Sequence, residues 1–306
     1  MSDKSTHPLV SVVVVSYNAE DTVIETLNSV LNQTYNNIEL ILSDDCSDDN
    51  TVSKASEWFS QHKDFFKSGA QLLTSKINQG ICGNFNKAIH SSKGEWIKII
   101  AADDVLLPNC CEDYVNYALT HPEAQFMTSY VDYYRNTFEK GNCFRSKVAV
   151  KYLSIFQEPA EVQLSEMAYK IFVMAPTMFF SRFVFDKVGG FNEDYIYEDH
   201  PFYISLLENG FKLYFVDTTT VGYRVHDSTC NSNSKLFNYK FALDSQKFRT
   251  ERCFRYYSWS QRIATNAYYF LLDTYERFGW NKKTKVSYAI FDTLIGVIWK
   301  FGRISK

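Results

Sequence analysis

Leu9 to Ser16 is a near-continuous run of apolar, mostly β-branched residues. Such a strand has no polar face to give to water. It belongs inside a sheet covered on both sides, which is the habit of a parallel sheet. The chain that follows keeps the matching rhythm. Thr22–Asn32 carries Val23, Leu27, Val30 and Leu31 on one helical face. Ile38–Leu42 reads as a second strand, Thr51 to about Phe66 as a helix and Ala70–Thr74 as a third strand. Gly80–Ser91 reads as a loop entering a helix, and Glu95–Ala101 as a fourth strand. Strands alternating with helices predict an α/β fold, a doubly wound sheet with helices on its faces.

Beyond Pro108 the pattern predicts a helix to about Thr120, a strand over Gln125–Tyr133 and irregular chain to about Leu164. Ile171–Ser181 and Phe211–Val216 read as strands, Phe183–Val188 and His200–Asn209 as helices. From about Leu236 the chain turns aromatic-rich, basic and helical. That change divides it into a domain over residues 1–235 and a C-terminal helical extension over 236–306.

The net charge of -3 and a pI near 6.1 exclude nucleic acid as an expected partner. The seven cysteines are odd in number and show no CxxC spacing, which argues against a disulfide framework or a structural zinc site. Free thiols fit a reducing cytoplasm. Met1–His7 lacks the basic, apolar, small-residue order of a signal peptide. Asp292 and Lys300 interrupt Val286–Phe301, the nearest approach to a spanning segment.

In open α/β sheets ligands sit beyond the carboxyl ends of the strands. Ser16-Tyr17-Asn18, Asp44-Asp45 and Asp103-Asp104 each follow a strand, so the fold places them along one crevice. Asp103-Asp104 is the most telling of these. Adjacent carboxylates repel one another unless a cation or solvent compensates. At a rigid strand end they are suited to hold a divalent metal against a phosphate. Asp48 or Asn50 is placed to cap the helix that follows.

The set resembles a family 2 glycosyltransferase of the GT-A fold, Rossmann-like with a doubly wound mixed sheet. The matching segments are Val10–Asn18, Leu27–Tyr35, Ile38–Thr51, Asn78-Gln79-Gly80, Gly94–Ile97, Asp103-Asp104 and Glu198-Asp199. Order and spacing agree from about Pro8 to His226. The resemblance implies that Val15, Tyr17 and Asn18 meet the nucleotide, and that Asp45 accepts a hydrogen bond from a uracil-like ring N–H. It makes Asn78 and Gly80 the shapers of the loop beside the base. Asn84 is a further candidate to reach the nucleotide. The family's Asp-x-Asp metal motif falls on Asp103 and Asp104, with Ala102 where a further acid would stand. Asp104 is then the metal ligand, and Asp103 holds the ribose or a metal-bound water. Oxygen ligands and a diphosphate favour Mg²⁺ or Mn²⁺. Asp199 matches the general base of inverting members. Glu198 beside it, and Arg224, are candidates for phosphate or acceptor contact, Arg224 alternatively for a nearby carboxylate. His226 is a second candidate metal ligand.

The implied activity is transfer of a hexosyl group from a nucleotide-sugar, with UDP-sugars first in line, to a glycan or lipid-linked acceptor. A nucleotidyltransferase would need a Gly-rich basic loop after the first strand, which Val15–Ala19 does not offer. A non-catalytic binding module of the same fold is the third reading. Lys285–Phe301, bracketed by basic residues, is expected to lie on an anionic membrane surface with Trp299 at headgroup level, or else to dock on the catalytic domain or on a second copy in a homodimer. The first option places the enzyme at the inner face of the plasma membrane.

Overall fold

The computed structural model describes residues 7–148, 152–225 and 235–303. Val10–Ser16 forms β1, buried at every position. Ile38–Asp44 (β2) and Ala70–Thr74 (β3) extend the sheet in parallel on one side of β1, and Trp96–Ala101 (β4) pairs in parallel on the other. The strand order therefore reverses between β1 and β4. That is the switch point where α/β sheets open a ligand crevice. The register aligns the strand ends: Ser16 lies opposite Asp44, and Val15 opposite Ala101.

Helices cover both faces. Val12 and Val14 pack with Leu27 of α1 (Val23–Leu31), Trp58 of α2 (Thr51–His62) and Tyr114 of α4 (Cys110–Thr120). Residues of α3 (Gly80–His90) lie outside that cluster, and α3 packs on β1 and β2. At the start of β4, a Cβ on Gly94 would stand 2.5 Å from Ser11 N and 2.9 Å from Leu9 O, so only glycine fits there.

Beyond β4 the sheet turns antiparallel. Its order is β3-β2-β1-β4-β8-β6-β9-β5, with β7 on β6. The added strands are Val105–Leu106 (β5), Phe126–Arg135 (β6), Cys143–Val148 (β7), Phe179–Ser181 (β8) and Tyr214–Val225 (β9). Arg182–Val188 (α6) and Asp199–Glu208 (α7) follow β8. Phe180, Phe185, Phe191 and Phe202 interlock, with ring centroids 4.6 Å apart for Phe191 and Phe202. This cluster fixes the approach to α7.

Two expectations fail in the connecting region. Residues read as irregular form β7, a short 3₁₀ turn at Leu153–Gln157 and helix α5 (Ala160–Tyr169). The strand read over Ile171–Ser181 shrinks to β8, because Pro176 sits in a 3₁₀ turn at Ala175–Thr177 and cannot join a ladder.

The chain forms two compact units, one of Met1–Gln163 with Phe172–Arg224, the other of Leu164–Ile171 with Val225–Lys306. The second holds α8 (Tyr239–Phe248), α9 (Trp259–Arg277) and α10 (Lys285–Phe301). Phe237, Tyr269, Leu272, Tyr275 and Phe291 form its core. Capping boxes start α9 at Ser258 and Gln261 and α10 at Thr284 and Ser287. Trp299 packs on Tyr169 and Tyr268, ring centroids 5.4 and 5.2 Å apart, so it faces protein and not the headgroup level expected of it. Among the described residues no helix is long and apolar enough to cross a membrane.

Candidate active site

The loops after β1 and β2 are stitched to each other. Asn18 takes a left-handed φ of 50°, its N–H donates to Ser47 Oγ at 2.8 Å, and its Oδ1 accepts from Asp48 N at 3.0 Å. Asp44 is buried and accepts from the Ser16 hydroxyl at 2.8 Å and from Ser47 N at 2.9 Å. It orients the loop. The cap of α2 comes from Asp49, whose Oδ1 accepts from Thr51 N at 2.9 Å, and not from Asp48 or Asn50; Asn50 donates to Glu20 Oε2 instead. Val15 is buried under this loop, and Tyr17 stands 55% exposed above it.

Asp45 joins the second loop to α3. Its two carboxylate oxygens accept from Gln79 N at 2.8 Å and Gly80 N at 2.9 Å, and Asn78 Oδ1 also accepts from Gly80 N at 3.0 Å. The turn needs φ +77° at residue 80, which glycine supplies. Asp45 thus sits on the exposed amides of a helix start, where a carboxylate is favoured. Asn84 is buried and donates to Ser43 O at 2.9 Å, so it does not reach into the crevice.

Asp103 and Asp104 follow β4 as the register requires. Asp103 is partly exposed and Asp104 buried. Asp104 Oδ1 accepts from Arg224 N at 2.8 Å, and its carbonyl accepts from the Thr26 hydroxyl at 2.7 Å. Burial and then the neighbouring Asp103 push the Asp104 carboxyl well above the usual carboxylate range. Among the described residues its Oδ2 receives no hydrogen bond. That oxygen, with the partly exposed Asp103 beside it, fits a cation that takes one or two carboxylates and completes its shell with phosphate and water. No three His, Cys, Asp or Glu side chains among the described residues gather as an all-protein cage. His226 lies outside the described residues.

Arg224 is not free to meet a phosphate. It is buried, donates through Nε to Asp103 O at 2.8 Å and through Nη1 to Asn136 O, pairs with Glu25, and lies 4.3 Å from the Phe138 ring centroid. It props the carboxylate pair from below. Lys98, in the middle of β4, is a second buried cation that the sequence reading passed over. Its Nζ donates to Ile99 O at 2.7 Å and Pro176 O at 2.6 Å, and its charge favours ionisation of Asp104. A lone lysine inside the apolar run Trp96–Ile100 was the available signal.

Glu198 and Asp199 open α7, both partly exposed. Burial, then the charge of Asp199, push Glu198 up to about 8; burial also raises Asp199, whose Oδ1 accepts from His200 N at 2.6 Å. Tyr203, one turn on, is fully buried near the pair, and its hydroxyl finds no hydrogen-bond partner among the described residues. The loop into α7 is held by Asn86 of α3. Its Nδ2 donates to Phe191 O and Glu193 Oε1, both at 2.8 Å, and its Oδ1 accepts from Phe191 N at 2.9 Å. One helix therefore carries Asp45 at its start and the approach to Asp199 along its side.

The description "Glycosyl transferase family 2" belongs to a family model that matches residues 11–189. The Escherichia coli UDP-Glc:alpha-D-GlcNAc-diphosphoundecaprenol beta-1,3-glucosyltransferase WfaP is 27% identical over 230 residues, 74% of this chain and 80% of its own length. Among solved structures, S. aureus TarS in complex with UDP-GlcNAc aligns with TM-score 0.60 at 18% identity, covering 80% of this chain and 66% of that one. The mannosyltransferase PcManGT from Pyrobaculum calidifontis, in complex with GDP-Man and Mn2+, aligns with TM-score 0.56 at 16% identity over 95% of this chain and 70% of its own. At these identities the two structures speak for the GT-A fold. The family model spans more than half of the chain, and the carboxylates stand at the strand ends of that sheet; the chain belongs to glycosyl transferase family 2 and is a glycosyltransferase.

Proposed function

We propose that the chain transfers a sugar, with inversion at the anomeric carbon, from a UDP-sugar to a hydroxyl of a lipid-linked glycan on the cytoplasmic side of a membrane. The carrying observation is the single helix α3, pinned to Asp45 at its start and to the Phe191–Glu193 loop at Asn86. It holds the nucleotide end and the base end of the crevice on one rigid element, the condition for an in-line displacement. Residues 1–235 act as the catalytic domain, and 236–306 as its helical extension.

In this reading Tyr17 packs on the base, while Val15, Asn18, Asn78 and Gly80 shape its loop and Asp45 meets the base edge. Asp103 faces the ribose. Mg²⁺ or Mn²⁺ would be held by Asp104, with His226 as a further ligand, and would supply charge neutralisation to the diphosphate. The Asp199 carboxylate takes the proton of the acceptor hydroxyl as that oxygen bonds to the anomeric carbon. The glycosidic bond to phosphate breaks, and the nucleoside diphosphate leaves with the electron pair. Burial and then the charge of Asp199 push Glu198 up to about 8, so Glu198 gives up its proton after Asp199. UDP-Glc and the diphospholipid acceptor in the name of WfaP support the substrate classes. Mn2+ in the PcManGT structure supports the cation.

A base that acts only in the transition state affects turnover and spares ground-state binding. Asp199→Asn is expected to bind UDP-sugar as tightly as the native chain while turnover falls roughly 10²-fold or more. Calorimetry beside turnover, on the UDP-sugar giving the largest metal-dependent thermal stabilisation, decides it. Collapsed affinity with a normal rate per bound complex would make Asp199 a binding residue and end this reading.

A further inference from the structure

Charge is divided sharply along the chain. Residues 225–306 carry 14 Lys and Arg against 6 Asp and Glu, a formal +8; residues 1–224 carry 18 against 29, a formal -11. Three of these basic residues fall together at one turn of the helical unit. Between α9 and α10 the chain runs Phe278-Gly279-Trp280-Asn281, then Lys282, Lys283 and Lys285. Asn281 is buried and makes this turn rigid. Its Oδ1 accepts from Leu236 N at 2.9 Å, and its Nδ2 donates to Phe237 O at 3.0 Å and Glu276 Oε2 at 2.7 Å. Phe278 and Trp280 stack on each other outside it, ring centroids 5.1 Å apart, 66% and 54% exposed. Two large rings on a fixed turn beside three exposed lysines are not leftovers of a core.

The helix α10 continues the same surface. Phe291 packs inward on Phe237 and Tyr275, and Trp299 on Tyr169 and Tyr268. Val286, Ile290, Leu294 and Val297 recur at helical spacing on the other side, and all four are exposed. A contiguous apolar stripe of this kind marks an interaction site. Its basic surroundings choose the occupant. A second copy would bring one +8 unit against another, which like-charge repulsion opposes. An anionic lipid surface attracts the lysines and takes up the rings and aliphatic side chains.

We propose that the Phe278–Lys285 turn and the outward stripe of α10 dock on an anionic lipid surface, with Phe278 and Trp280 at headgroup level and Lys282, Lys283 and Lys285 on acidic headgroups. The lipid attracts the basic unit and repels the acidic one. This deepens the reading of a lipid-linked acceptor.

The test is flotation of the full chain with phosphatidylcholine vesicles, plain or containing about one third phosphatidylglycerol. Binding is expected to the anionic vesicles alone and to fall with added salt. Replacing Lys282, Lys283 and Lys285 by Gln should weaken it about 100-fold. Phe278→Ser with Trp280→Ser should weaken it about tenfold or more, and Val286→Ser with Val297→Ser provides an independent variant on the helix. These side chains are exposed, so thermal midpoints should hold. Three outcomes each overturn the proposal: no flotation with anionic vesicles at low salt, equal flotation of the native chain and all three variants, or a dimer in sedimentation that the Val286/Val297 variant splits. The vesicles carry no acceptor, so failure here leaves the transferase reading to donor turnover.

Discussion

Glu198 and Asp199 meet at the entrance to α7, where neither carboxylate is fully hydrated. Two adjacent acids in such a place cannot both ionise easily. Burial and the charge of Asp199 raise Glu198 from 4.5 to about 8, so between those pH values the folded chain keeps a proton that the unfolded chain releases. The stabilisation is fully present below the unfolded value and is lost as pH rises through the folded one. Glu198→Gln is neutral throughout and removes that slope. Urea unfolding at about pH 5 and about pH 8.5 should show the native chain losing more stability than Glu198→Gln over that interval. Parallel losses would mean that Glu198 titrates normally. At this scale the sequence was legible where charge crowds locally: Asp103-Asp104, Asp44-Asp45 and Glu198-Asp199 announce themselves. Arg224 could be read as a partner for a carboxylate, but not for which one, because Glu25 lies 199 residues away and only the folded chain brings them together.

Elements buried on both faces were the readable ones. β1, β2 and β4, with α1 and α3, appear within a residue or two of their apolar patterns, since burial leaves little freedom in composition. β3 matches its pattern although it is only partly buried, and α2 ends at His62, short of the Phe66 read for it, where a 3₁₀ turn over Lys63–Phe65 takes over. Cys143–Val148 was missed for the opposite reason. It is an edge strand with its four central residues exposed, and it carries no alternation to read. The element with the largest functional reach is α3, and its reach is not written in its own sequence. Asn86 looks like any polar residue on a helix, yet three hydrogen bonds tie it to the loop before Asp199. Asn86→Ala leaves the Asp45 contacts at the other end of α3 untouched. Donor affinity should therefore change little, while turnover falls about tenfold to 100-fold as Asp199, the proposed base, loses its position. A restoring Asn86→Gln is not expected, because the longer amide cannot reach all three partners. Steady-state kinetics with calorimetric donor affinity checks this. A proportional loss of both would assign Asn86 to the stability of the whole crevice.

At the scale of the whole molecule, the change in composition near Leu236 is plain in the sequence, but what the helical unit is built on is not. Its first piece is Leu164–Ile171, the end of α5, which enters the chain well before the change. Ala168 O accepts from the Tyr257 hydroxyl at 2.7 Å and from Arg249 Nη1 at 3.2 Å, and Tyr169 O accepts from the same Nη1 at 3.0 Å. Met167 and Ala168 are fully buried. A chain ending at residue 235 therefore loses the partners of two carbonyls and the cover of an apolar segment. Its unfolding midpoint should fall by roughly 10 °C or more. Arg249→Met in the full chain isolates the polar part of that loss and should cost roughly 1–3 kcal/mol, since it strands the carbonyl of Tyr169. Thermal and urea unfolding of the three proteins, without ligand, makes the comparison. Should the shortened chain melt at the native midpoint and Arg249→Met cost nothing, the last seventy or so residues are a detachable appendage. Should both fall, Leu164–Ile171 is the foundation on which the basic unit stands, and any change that loosens it is felt at α10, where the lipid surface would be met.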